Sequence, residues 1–495
     1  MERNIMFPYN SIRDFVLALG KDGKLLTIPE MDQDQYEMTA FSYKLDSRMK
    51  TNAPAFIVEK IKMDERIYET PVIANIISSY GAVANAFGAD PKLINDNHCE
   101  MHDLAVEQIL KGLDDDFKWK TIDPIIVENK DAPCKEVILE GDAVDLLKFP
   151  WIKNNPADGG RFISAGSAIM DDPELGRNVG TYRMHIKGPK KAGLCFTPVS
   201  HAYKYMMNAG ERGEQSVNVS VAIGLDPVSW MMSSTRLAGE DEDEFALAGG
   251  FRGRPVALVK SETNDLMVPA TAEFILEGEI PMETEEEGPY GELFGYVGKK
   301  SHTFYMNVKK ITHRKNPWVY NLWPGIGGAF LTLPWDVSHF ARLKKIMPNL
   351  IKLYTPTETP AIVIASIDKK LPGEGMEAGF LILGNRSTGF SKRVVIIVDK
   401  DIDPVDTSRV IHAVGTRWQP YPGSQIIKQS VHMPVDPSCK DMFLSSKIVI
   451  DATRQLESEG GPEIFPDDNL SVLEERAPEA FKLVESKWED YFKSS

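Results

Sequence analysis

The sequence contains little cysteine and no long apolar run. Its 495 residues include four cysteines, and no two of them form a CxxC pair. This usage excludes a disulfide framework and a zinc knuckle, and it is typical of a reducing cytoplasm, where we expect the protein to reside. No stretch approaches the roughly 18 consecutive apolar residues of a membrane span, and the N-terminus lacks the apolar core of a secretory signal. We therefore expect no membrane association.

An excess of positive charge is also absent. The formal net charge is −16 at pH 7, which disfavours nucleic acids and anionic membranes as partners. A small anionic substrate would need local basic groups against this background. The composition, with 42% hydrophobic and 26% charged residues, is that of a globular chain long enough for two to four domains.

The helix and strand patterns predict three parts, of which residues 1–120 are the first. Ser11 caps an amphipathic helix that ends near Gly20, and a strand follows at Lys24–Ile28. A further strand and two helices complete this N-terminal α/β part, near Val72–Ile77, Val83–Phe87 and Leu104–Leu113.

Residues 121–330 form the second predicted part, in which short strands are separated by Gly, Pro, Asp and Asn turns. Many strands with few helices predict a barrel-like or sandwich domain. The strand candidates are Ile125–Val127, Phe162–Met170, Thr181–Ile186, Val217–Ile223, Val256–Lys260, Ala272–Leu276 and Tyr305–Ile311.

Residues 331–495 return to an α/β pattern. The β-branched runs Val363–Ile367 and Val394–Val398 are typical of buried parallel strands, and a helix at Thr407–Val414 and a strand at Ile448–Asp451 follow. In the tail, residues 477–492, apolar side chains recur on one helical face, so we expect one helix that docks on another surface, for example that of a second subunit. These side chains are Phe481, Val484, Trp488 and Tyr491.

Two carboxylates flank a tight turn with the sequence Glu287-Gly288-Pro289-Tyr290-Gly291-Glu292. Glycine and proline favour a sharp reversal, which would bring Glu287 and Glu292 to one side of a pocket. Paired carboxyl groups in unlike environments commonly form a proton donor. The alternative is that the segment belongs to a solvated acidic loop, because it follows directly on the run Glu283–Glu287.

Further candidates lie far apart in the sequence. Arg183 presents a fork of donors suited to a carboxylate or phosphate. Asn178, His201 and Glu244 form an oxygen and nitrogen set suited to Mg²⁺ or Mn²⁺. Each signal is weak by itself, because exposed arginines and structural histidines are common, and sequence spacing does not establish that the three segments converge.

The series of motifs resembles the UbiD family of decarboxylases, which use prenylated FMN. The resemblance runs along nearly the whole chain and implies an α/β (α+β) fold, with an N-terminal α/β domain, a central split-barrel flavin-binding domain and a C-terminal α/β domain. The segments that carry it are Ile12-Arg13-Asp14-Phe15, Pro54-Ala55-Phe56, Asp158-Gly159-Gly160-Arg161, Asn178 to Met184, Ser200-His201, Glu244 to Gly253, Val268-Pro269-Ala270 and Glu287 to Glu292.

The resemblance implies ligand roles for these residues. Asn178, His201 and Glu244 match positions that hold Mn²⁺ (or Mg²⁺) against the flavin phosphate. Ser233, Ser234 and Glu244 lie at or near those for a K⁺ ion. The residues implied in binding prenylated FMN are Asn178, Gly180, Thr181, Tyr182, Arg183, Ser200, His201, Ser234, Thr235, Glu244, Lys392 and Arg393, of which either Lys392 or Arg393 could meet the phosphate.

The implied reaction is reversible, non-oxidative decarboxylation through a covalent adduct between the substrate and prenylated FMN. Glu292 would protonate the carbon that loses CO₂, Arg183 would hold the substrate carboxylate, and Glu287 would tune the pair. A carboxyl donor must be neutral when it acts, so we expect Glu292 in a dry pocket with a raised pKa. The neighbouring acids Glu283, Glu285 and Glu286 are expected to be solvated.

The substrate implied is an aromatic, heteroaromatic or α,β-unsaturated carboxylic acid. Trp323 offers an aromatic face to a flat substrate, although a tryptophan packed at an interface is an equal alternative. The implied partners are CO₂, a flavin prenyltransferase that supplies the cofactor, and further copies of the chain in a homodimer or in a hexamer built as a trimer of dimers.

Three other functions stay open. The chain could be a carboxylase subunit of a multi-protein complex acting on an aromatic substrate, a non-catalytic assembly or carrier protein, or a metal-dependent hydrolase that uses the same acids. The joint presence of Arg183, Glu287 and Glu292 argues against a carrier, because carriage requires no proton donor.

Overall fold

The computed structural model describes residues 6–239, 242–326, 328–385, 389–433, 435–439 and 443–492. Within these ranges the chain forms thirteen α-helices and four sheets. Over the same ranges, no helix has both the length and the apolarity needed to cross a membrane.

The helices, numbered along the chain, are α1 (Ile12–Lys21), α2 (Glu37–Met49), α3 (Tyr80–Ala86), α4 (His98–Leu110), α5 (His201–Glu211), α6 (Pro227–Ser234), α7 (Glu244–Arg252), α8 (Gly328–Ile346), α9 (Glu374–Gly384), α10 (Thr407–Thr416), α11 (Asn469–Arg476), α12 (Pro478–Ser486) and α13 (Trp488–Phe492).

The strands are β1 (Leu25–Asp32), β2 (Ala55–Met63), β3 (Arg66–Tyr68), β4 (Val72–Ala74), β5 (Ile125–Ile126), β6 (Val137–Glu140), β7 (Phe162–Asp172), β8 (Gly176–Gly188), β9 (Lys191–Leu194), β10 (Ser216–Ile223), β11 (Ala257–Lys260), β12 (Met267–Pro269), β13 (Phe274–Pro281), β14 (Thr284–Glu287), β15 (Ser301–His313), β16 (Val319–Asn321), β17 (Leu350–Tyr354), β18 (Ile362–Ile367), β19 (Val394–Asp399), β20 (Ser424–Val431) and β21 (Leu444–Asp451).

The N-terminal sheet has the order β1-β2-β4-β16, with β3 beside β2. Helix α1 begins at the predicted position, because the Ser11 hydroxyl accepts a hydrogen bond from the Asp14 N–H at 3.3 Å and so caps the helix. Strand β16 lies about 250 residues after β4 in the sequence, yet the two pair in parallel, with Asn321 opposite Ala74. The segment that follows Asn321 therefore starts beside the N-terminal sheet. The division at residues 120 and 330 stays a prediction.

A closed barrel of six strands lies at the centre of the molecule. Its order is β13-β10-β7-β8-β9-β15, all pairs are antiparallel, and β15 closes the ring on β13. The ladder between β13 and β15 shifts register at Glu277/Gly278, where a Cβ on Gly278 would collide with the Asn307 carbonyl. The barrel confirms the predicted fold class.

Helices α5, α6 and α7 interrupt the strands of this region, which the sequence predicts to be mainly β. Helices α6 and α7 have few solvent-facing positions: Ser234 alone is not buried among the residues of α6, and Gly250 alone among those of α7. Without a polar face, such helices lack the amphipathic period from which a helix is recognised in sequence. Their termini nevertheless carry several of the predicted ligands.

The C-terminal sheet has the order β17-β18-β19-β21-β20. Strands β18, β19 and β21 run parallel, as their apolar β-branched sequences predict, and helices α8, α9 and α10 accompany them. The antiparallel strands β17 and β20 form the two edges.

The tail differs in detail from its prediction. Instead of one helix over residues 477–492, α12 and α13 are separated at Lys487, whose N–H bonds back to the Val484 carbonyl in a tight final turn. Similarly, α4 starts at His98 rather than near Leu104, because the Asn97 side chain caps it. The predicted apolar side chains of the tail are all exposed, namely Phe481, Val484, Trp488 and Tyr491.

Candidate active site

A cavity of about 430 Å³ opens between the barrel and the N-terminal sheet. Strand β8 forms one wall, and the termini of α5, α6 and α7 form a second. The segment after β16, including Trp323, and the residues after β4, Asn75 and Ile77, form the opposite side. The position of β16 in the N-terminal sheet is what brings these two sides together.

Arg183 lies on β8 and is held between two carboxyl groups. Its Nε and Nη2 donate to the two oxygens of Glu287 at 3.0 and 2.9 Å, so this pair is bidentate. Its Nη1 donates to Glu292 Oε1 at 2.5 Å. The guanidinium also lies 5.1 Å from the centre of the Tyr290 ring. Burial opposes the charge on Arg183, but the neighbours Cys195, Glu292 and Glu287 raise its pKa above the ordinary value.

The two carboxyl groups occupy different environments. Glu287 ends strand β14 and is fully buried, and the cavity wall, over the residues that the structure describes, does not include it. Glu292 lies on that wall. Burial raises the pKa of Glu292 above its ordinary value and the Glu287 charge adds to this effect, although Arg183 acts in the opposite direction. Glu292 is therefore the carboxyl group that has both access to the cavity and a bias towards the neutral form.

The turn between these acids is held by hydrogen bonds to Gly159 and His185. The Gly159 N–H donates to the Pro289 carbonyl at 2.8 Å, and the Gly288 N–H donates to His185 Nδ1 at 3.4 Å. A Cβ on Gly159 would collide with the Gly288 carbonyl, so the two backbones touch. Asp158 is buried beside this contact, and burial raises its pKa to about 6. The turn thus has a rigid support.

The acidic run before the turn is a strand and not a loop. Its side chains Glu283 and Glu286 are exposed, as predicted, and contact Tyr305 and Lys300. Glu285 is half-buried and pairs with Lys191 at 2.5 Å. Alternation along the strand turns Glu287 to the interior side.

The structure brings Asn178, His201 and Glu244 to one end of the cavity. His201 is the first residue of α5 and Glu244 the first of α7, while Asn178 lies on β8. Glu244 Oε2 accepts the Val179 N–H at 2.9 Å, and burial raises the pKa of this carboxyl to about 8. A desolvated carboxyl grouped with an imidazole and an amide is a donor set suited to a divalent cation.

Hydroxyl groups line the wall beside these residues. Ser233 Oγ lies 2.9 Å from both Ser167 Oγ and Thr181 Oγ1, and Ser234 Oγ donates to Thr181 Oγ1 at 2.9 Å. Both serines also donate to the Trp230 carbonyl, since they end helix α6. Hydroxyl and carbonyl oxygens at the negative end of a helix form an environment that suits a cation.

Four buried polar atoms on the cavity wall have no hydrogen-bond partner within the described ranges. They are Asn178 Nδ2, Trp230 Nε1, Thr235 Oγ1 and Tyr320 OH. Such atoms are costly unless a ligand or water satisfies them. Their presence on one cavity indicates a polar ligand there. A Cβ on Gly180 would lie 2.6 Å from the Tyr182 ring, so the glycine leaves room for this ring.

Most of the predicted cofactor residues lie on this cavity. Gly180, Thr181, Tyr182, Ser200, Ser234 and Thr235 all line it. Lys392 and Arg393 do not belong to its wall, as far as the structure describes it. The Lys392 ammonium bonds Thr355 Oγ1 at 2.6 Å and lies 3.7 Å from Asp336, whereas Arg393 bonds Asp436 and Ser438. Both cations therefore have protein partners in the C-terminal region.

Two cavity residues were missed by sequence reasoning. Arg236 follows α6, and its guanidinium lies 5.7 Å from the centre of the Phe390 ring; among the described residues it has no carboxylate partner. Cys195 lines the cavity next to Arg183, and burial raises the pKa of its thiol to about 11, so the thiol stays neutral. A single arginine or cysteine that follows a short helix or strand forms no sequence pattern from which its position in the fold could be predicted.

Trp323 is packed and also borders the cavity, and its contact with a substrate stays a prediction. Its Nε1 donates to Thr39 Oγ1 at 3.1 Å and its ring packs near Phe56, with centroids 6.0 Å apart, so it is packed against the N-terminal part. It also lines the cavity, together with Leu322 and Ile326. The cavity wall around Trp323 is therefore apolar.

Three family models match the chain in succession. They describe the N-terminal domain, the Rift-related domain and the C-terminal domain of 3-octaprenyl-4-hydroxybenzoate carboxy-lyase (UbiD), and they match residues 16–98, 125–327 and 331–452. Together they span most of the sequence.

Curated and solved relatives agree with these matches. A phenolic acid decarboxylase of Sedimentibacter hydroxybenzoicus is 28% identical over 493 residues, which cover 96% of this chain and 98% of the relative. The vanillic acid decarboxylase structure from the same organism, in its open form, has a TM-score of 0.80 at 28% identity, with 96% and 99% of the two chains covered.

The UbiD-class enzyme HmfF from Pelotomaculum thermopropionicum is also similar. Its complex with FMN has a TM-score of 0.79 at 27% identity, covering 94% of this chain and 98% of HmfF. An evolved dimeric form in complex with prFMN has a TM-score of 0.74 at 27% identity, covering 93% and 98%. The chain therefore belongs to the UbiD family of carboxy-lyases, and the prediction of a UbiD-like decarboxylase is confirmed.

Proposed function

We propose that the protein catalyses the reversible, non-oxidative decarboxylation of an aromatic, heteroaromatic or α,β-unsaturated carboxylic acid with prenylated FMN as cofactor. One observation carries the proposal: Glu292 is a cavity-facing carboxyl with a raised pKa, in contact with the buried guanidinium of Arg183. A cation for the carboxylate and a placed acid for the product carbon are what decarboxylation requires of the protein.

The cavity supports the choice of cofactor. Trp230 Nε1, Thr235 Oγ1 and Tyr320 OH, which have no partner among the described residues, can donate to a ligand with many acceptors, and the resemblance assigns Thr235 to the flavin. The related HmfF binds FMN and, as an evolved dimeric form, prFMN. When bound, the modified flavin supplies the electron sink that stabilises negative charge on the carbon losing CO₂.

Asn178, His201 and Glu244 would hold Mn²⁺ or Mg²⁺ at the phosphate end of the cofactor. A divalent cation there offsets the charge that burial disfavours on Glu244, whose pKa is raised to about 8. Rotation of the Asn178 amide would turn its oxygen to the position where its nitrogen now lacks a partner. Ser233 and Ser234, at the end of α6, would lie beside a K⁺ ion. Arg236 adds a cation for the phosphate.

Arg183 and Glu287 form a buried, bidentate pair whose charges cancel. This pairing fixes the guanidinium plane, so that the remaining Nη1 is directed at Glu292. When Glu292 is protonated, it loses its negative charge and its hydrogen bond with Arg183 Nη1 weakens. The substrate carboxylate then binds at Nη1. Once CO₂ has left, the Glu292 proton is transferred to the carbon that carried it, and the reverse transfer starts carboxylation.

The apolar end of the cavity supports a flat substrate. Trp323, Leu322 and Ile326 line it, and the relatives are named as phenolic and vanillic acid decarboxylases. We therefore place phenolic aromatic acids first within the proposed substrate class.

Self-association is proposed on the basis of the tail. Phe481, Val484, Trp488 and Tyr491 are exposed on α12 and α13, and apolar patches of this kind mark interaction surfaces. The evolved form of HmfF is dimeric. We propose a homodimer, or a hexamer of three dimers, in the cytoplasm, with a flavin prenyltransferase as the supplier of the cofactor.

The test is reconstitution of the purified chain. Protein produced together with a flavin prenyltransferase should show flavin absorbance and release CO₂ from at least one acid in a panel of vanillic, protocatechuic, furoic and cinnamic acids. Activity of the pure chain would also separate a self-sufficient enzyme from one subunit of a multi-protein complex. A flavin-loaded, manganese-loaded protein that releases no CO₂ from any member of the panel, and exchanges no solvent deuterium into the products, would overturn the proposal.

A further inference from the structure

Gly298 lies next to the carboxyl group of Glu292. A Cβ built on Gly298 would lie 2.5 Å from Glu292 Oε1, 3.0 Å from Cγ and 3.2 Å from Cδ. All three distances are shorter than an ordinary van der Waals contact. The affected oxygen is the one that accepts the hydrogen bond from Arg183 Nη1 at 2.5 Å.

The backbone places Gly298 there through a short hairpin. The Gly298 N–H donates to the Tyr290 carbonyl and the Glu292 N–H to the Tyr296 carbonyl, both at 2.8 Å. The Gly295 N–H donates to the Glu292 carbonyl at the same distance. Gly291 and Val297 form an isolated antiparallel bridge. These bonds fix the distance between the two chain segments. The backbone at position 298 therefore cannot shift away from Glu292 to make space for a side chain.

Backbone conformation does not require glycine at this position. Gly298 is not among the glycines in the left-handed region, unlike its neighbours Gly288 and Gly295. Alanine can adopt its conformation, so the space taken by the Glu292 carboxyl is what excludes a side chain. The Glu292 carboxyl would have to shift away from the new Cβ, and Arg183 could not follow it, because two of its nitrogens are held by Glu287.

We propose that Gly298 is a positioning residue for Glu292: its missing side chain is what allows the Glu292 carboxyl to reach Arg183 and face the cavity. The expected loss of turnover rests on the proposed function, whereas the expected change in the distance between Arg183 and Glu292 does not. A displacement of about 1 Å at a reacting group lowers turnover by about 100-fold. Cofactor and metal binding should be unaffected, because Gly298 is not part of the cavity wall that the structure describes.

The first experiment is a crystal structure of Gly298→Ala beside the wild type. We expect the distance between Arg183 Nη1 and Glu292 Oε1 to increase by about 1 Å or more, because the alanine Cβ and Glu292 Oε1 form no hydrogen bond and repel each other at 2.5 Å. An unchanged distance overturns the inference, whatever the activity of the protein. If instead the wild type proves inactive, the proposed function fails while this distance still decides the role of Gly298.

The second experiment is kinetic, on flavin-loaded enzyme. In Gly298→Ala, kcat should fall about 10- to 100-fold with KM little changed and flavin content equal to the wild type. The descending limb of the pH–rate profile should also move to higher pH, because Glu292 loses the guanidinium that lowers its pKa. A uniformly weakened fold would not shift this limb.

Two further variants make the result specific. Gly210→Ala is the matched control, because Gly210 lies on α5 and the nearest atom to an added Cβ is Met282 Sδ at 4.0 Å; it should behave as the wild type.

Glu292→Asp shortens the side chain by one methylene, so adding Gly298→Ala to it should cost little further activity. If Gly298→Ala does not fold, the double variant should fold. Equal losses in both backgrounds, or failure of both to fold, would contradict the role assigned to Gly298.

Discussion

Arg183 Nη1 lies 2.5 Å from Glu292 Oε1 at the wall of the cavity, and this contact joins the strand β8 to the turn that follows β14. The other two nitrogens of the guanidinium are occupied by Glu287, a fully buried carboxylate. One arginine thus pairs with a fully buried acid through two nitrogens and with an acid on the cavity wall through the third.

The first prediction concerns the stability that Arg183 provides. Arg183→Met leaves the buried Glu287 without a counter-ion, and breaking a buried pair in this way costs about 3–5 kcal/mol. The midpoint of urea denaturation should fall clearly. The double variant Arg183→Met/Glu287→Leu removes both charges and should recover much of the loss. If the double variant is no more stable than the single one, the pair does not hold this part of the fold.

The second prediction concerns the pH dependence of turnover. In the proposed mechanism Glu292 acts only when protonated, so the rate should fall as pH rises through its folded-state pKa, which lies above that of an ordinary carboxyl. Glu287→Gln removes a charge that raises this pKa and frees Arg183 to stabilise the Glu292 carboxylate. The descending limb of the pH–rate profile should therefore move to lower pH. A limb that stays in place would show that another group limits the rate.

The third prediction concerns Asp158, behind the turn. Burial raises its pKa from 3.8 to about 6. At pH values between these two limits, the folded state therefore binds more protons than the unfolded state. Stability should fall as pH rises through this window, by up to about 3 kcal/mol.

Asp158→Asn removes the titrating group but keeps an oxygen for the Asn155 N–H, which donates to Asp158 Oδ2 at 2.9 Å. The measurement compares melting temperatures of wild type and Asp158→Asn from pH 4 to 7. The difference between them should change across this window. Parallel curves would assign the pH dependence to other groups.

The fourth prediction concerns metal and cofactor binding. His201→Ala removes one donor from the proposed site and Glu244→Gln removes its negative charge, so both should purify with less Mn²⁺ and less flavin than the wild type. Metal content is read by mass spectrometry and flavin by absorbance. His302→Ala is the control, since His302 is an exposed residue of β15. Full metal and flavin occupancy in both ligand variants would contradict the assignment.

The sequence predicts local elements well and distant contacts poorly. The cap of Ser11 and the apolar runs of β18 and β19 are local signals, and the structure confirms them. Helices α6 and α7 lack a polar face and were missed. The pairing of β16 with β4 joins segments about 250 residues apart, which no periodicity reveals.

The candidate site shows the same limit. The spacing of Glu287 and Glu292 indicated two acids in one turn, but Arg183 lies 104 residues before Glu287, and only the resemblance connected the three. The resemblance in turn did not predict that Lys392 would bond Thr355 and Arg393 would bond Asp436. Steric conditions such as that at Gly298 depend on side-chain positions and are visible only in three dimensions.

The most direct test of the account is solvent deuterium incorporation by flavin-loaded Glu292→Gln. Glutamine keeps the shape of the side chain and lacks the acidic proton, so the variant should hold flavin and manganese at the wild-type level. It should sustain no turnover, because Glu292 acts after CO₂ has left, and it should place no deuterium on the product carbon, while the wild type in deuterium oxide gives product labelled at that carbon. Labelled product formed by Glu292→Gln at the wild-type rate would contradict the assignment of Glu292 as the proton donor.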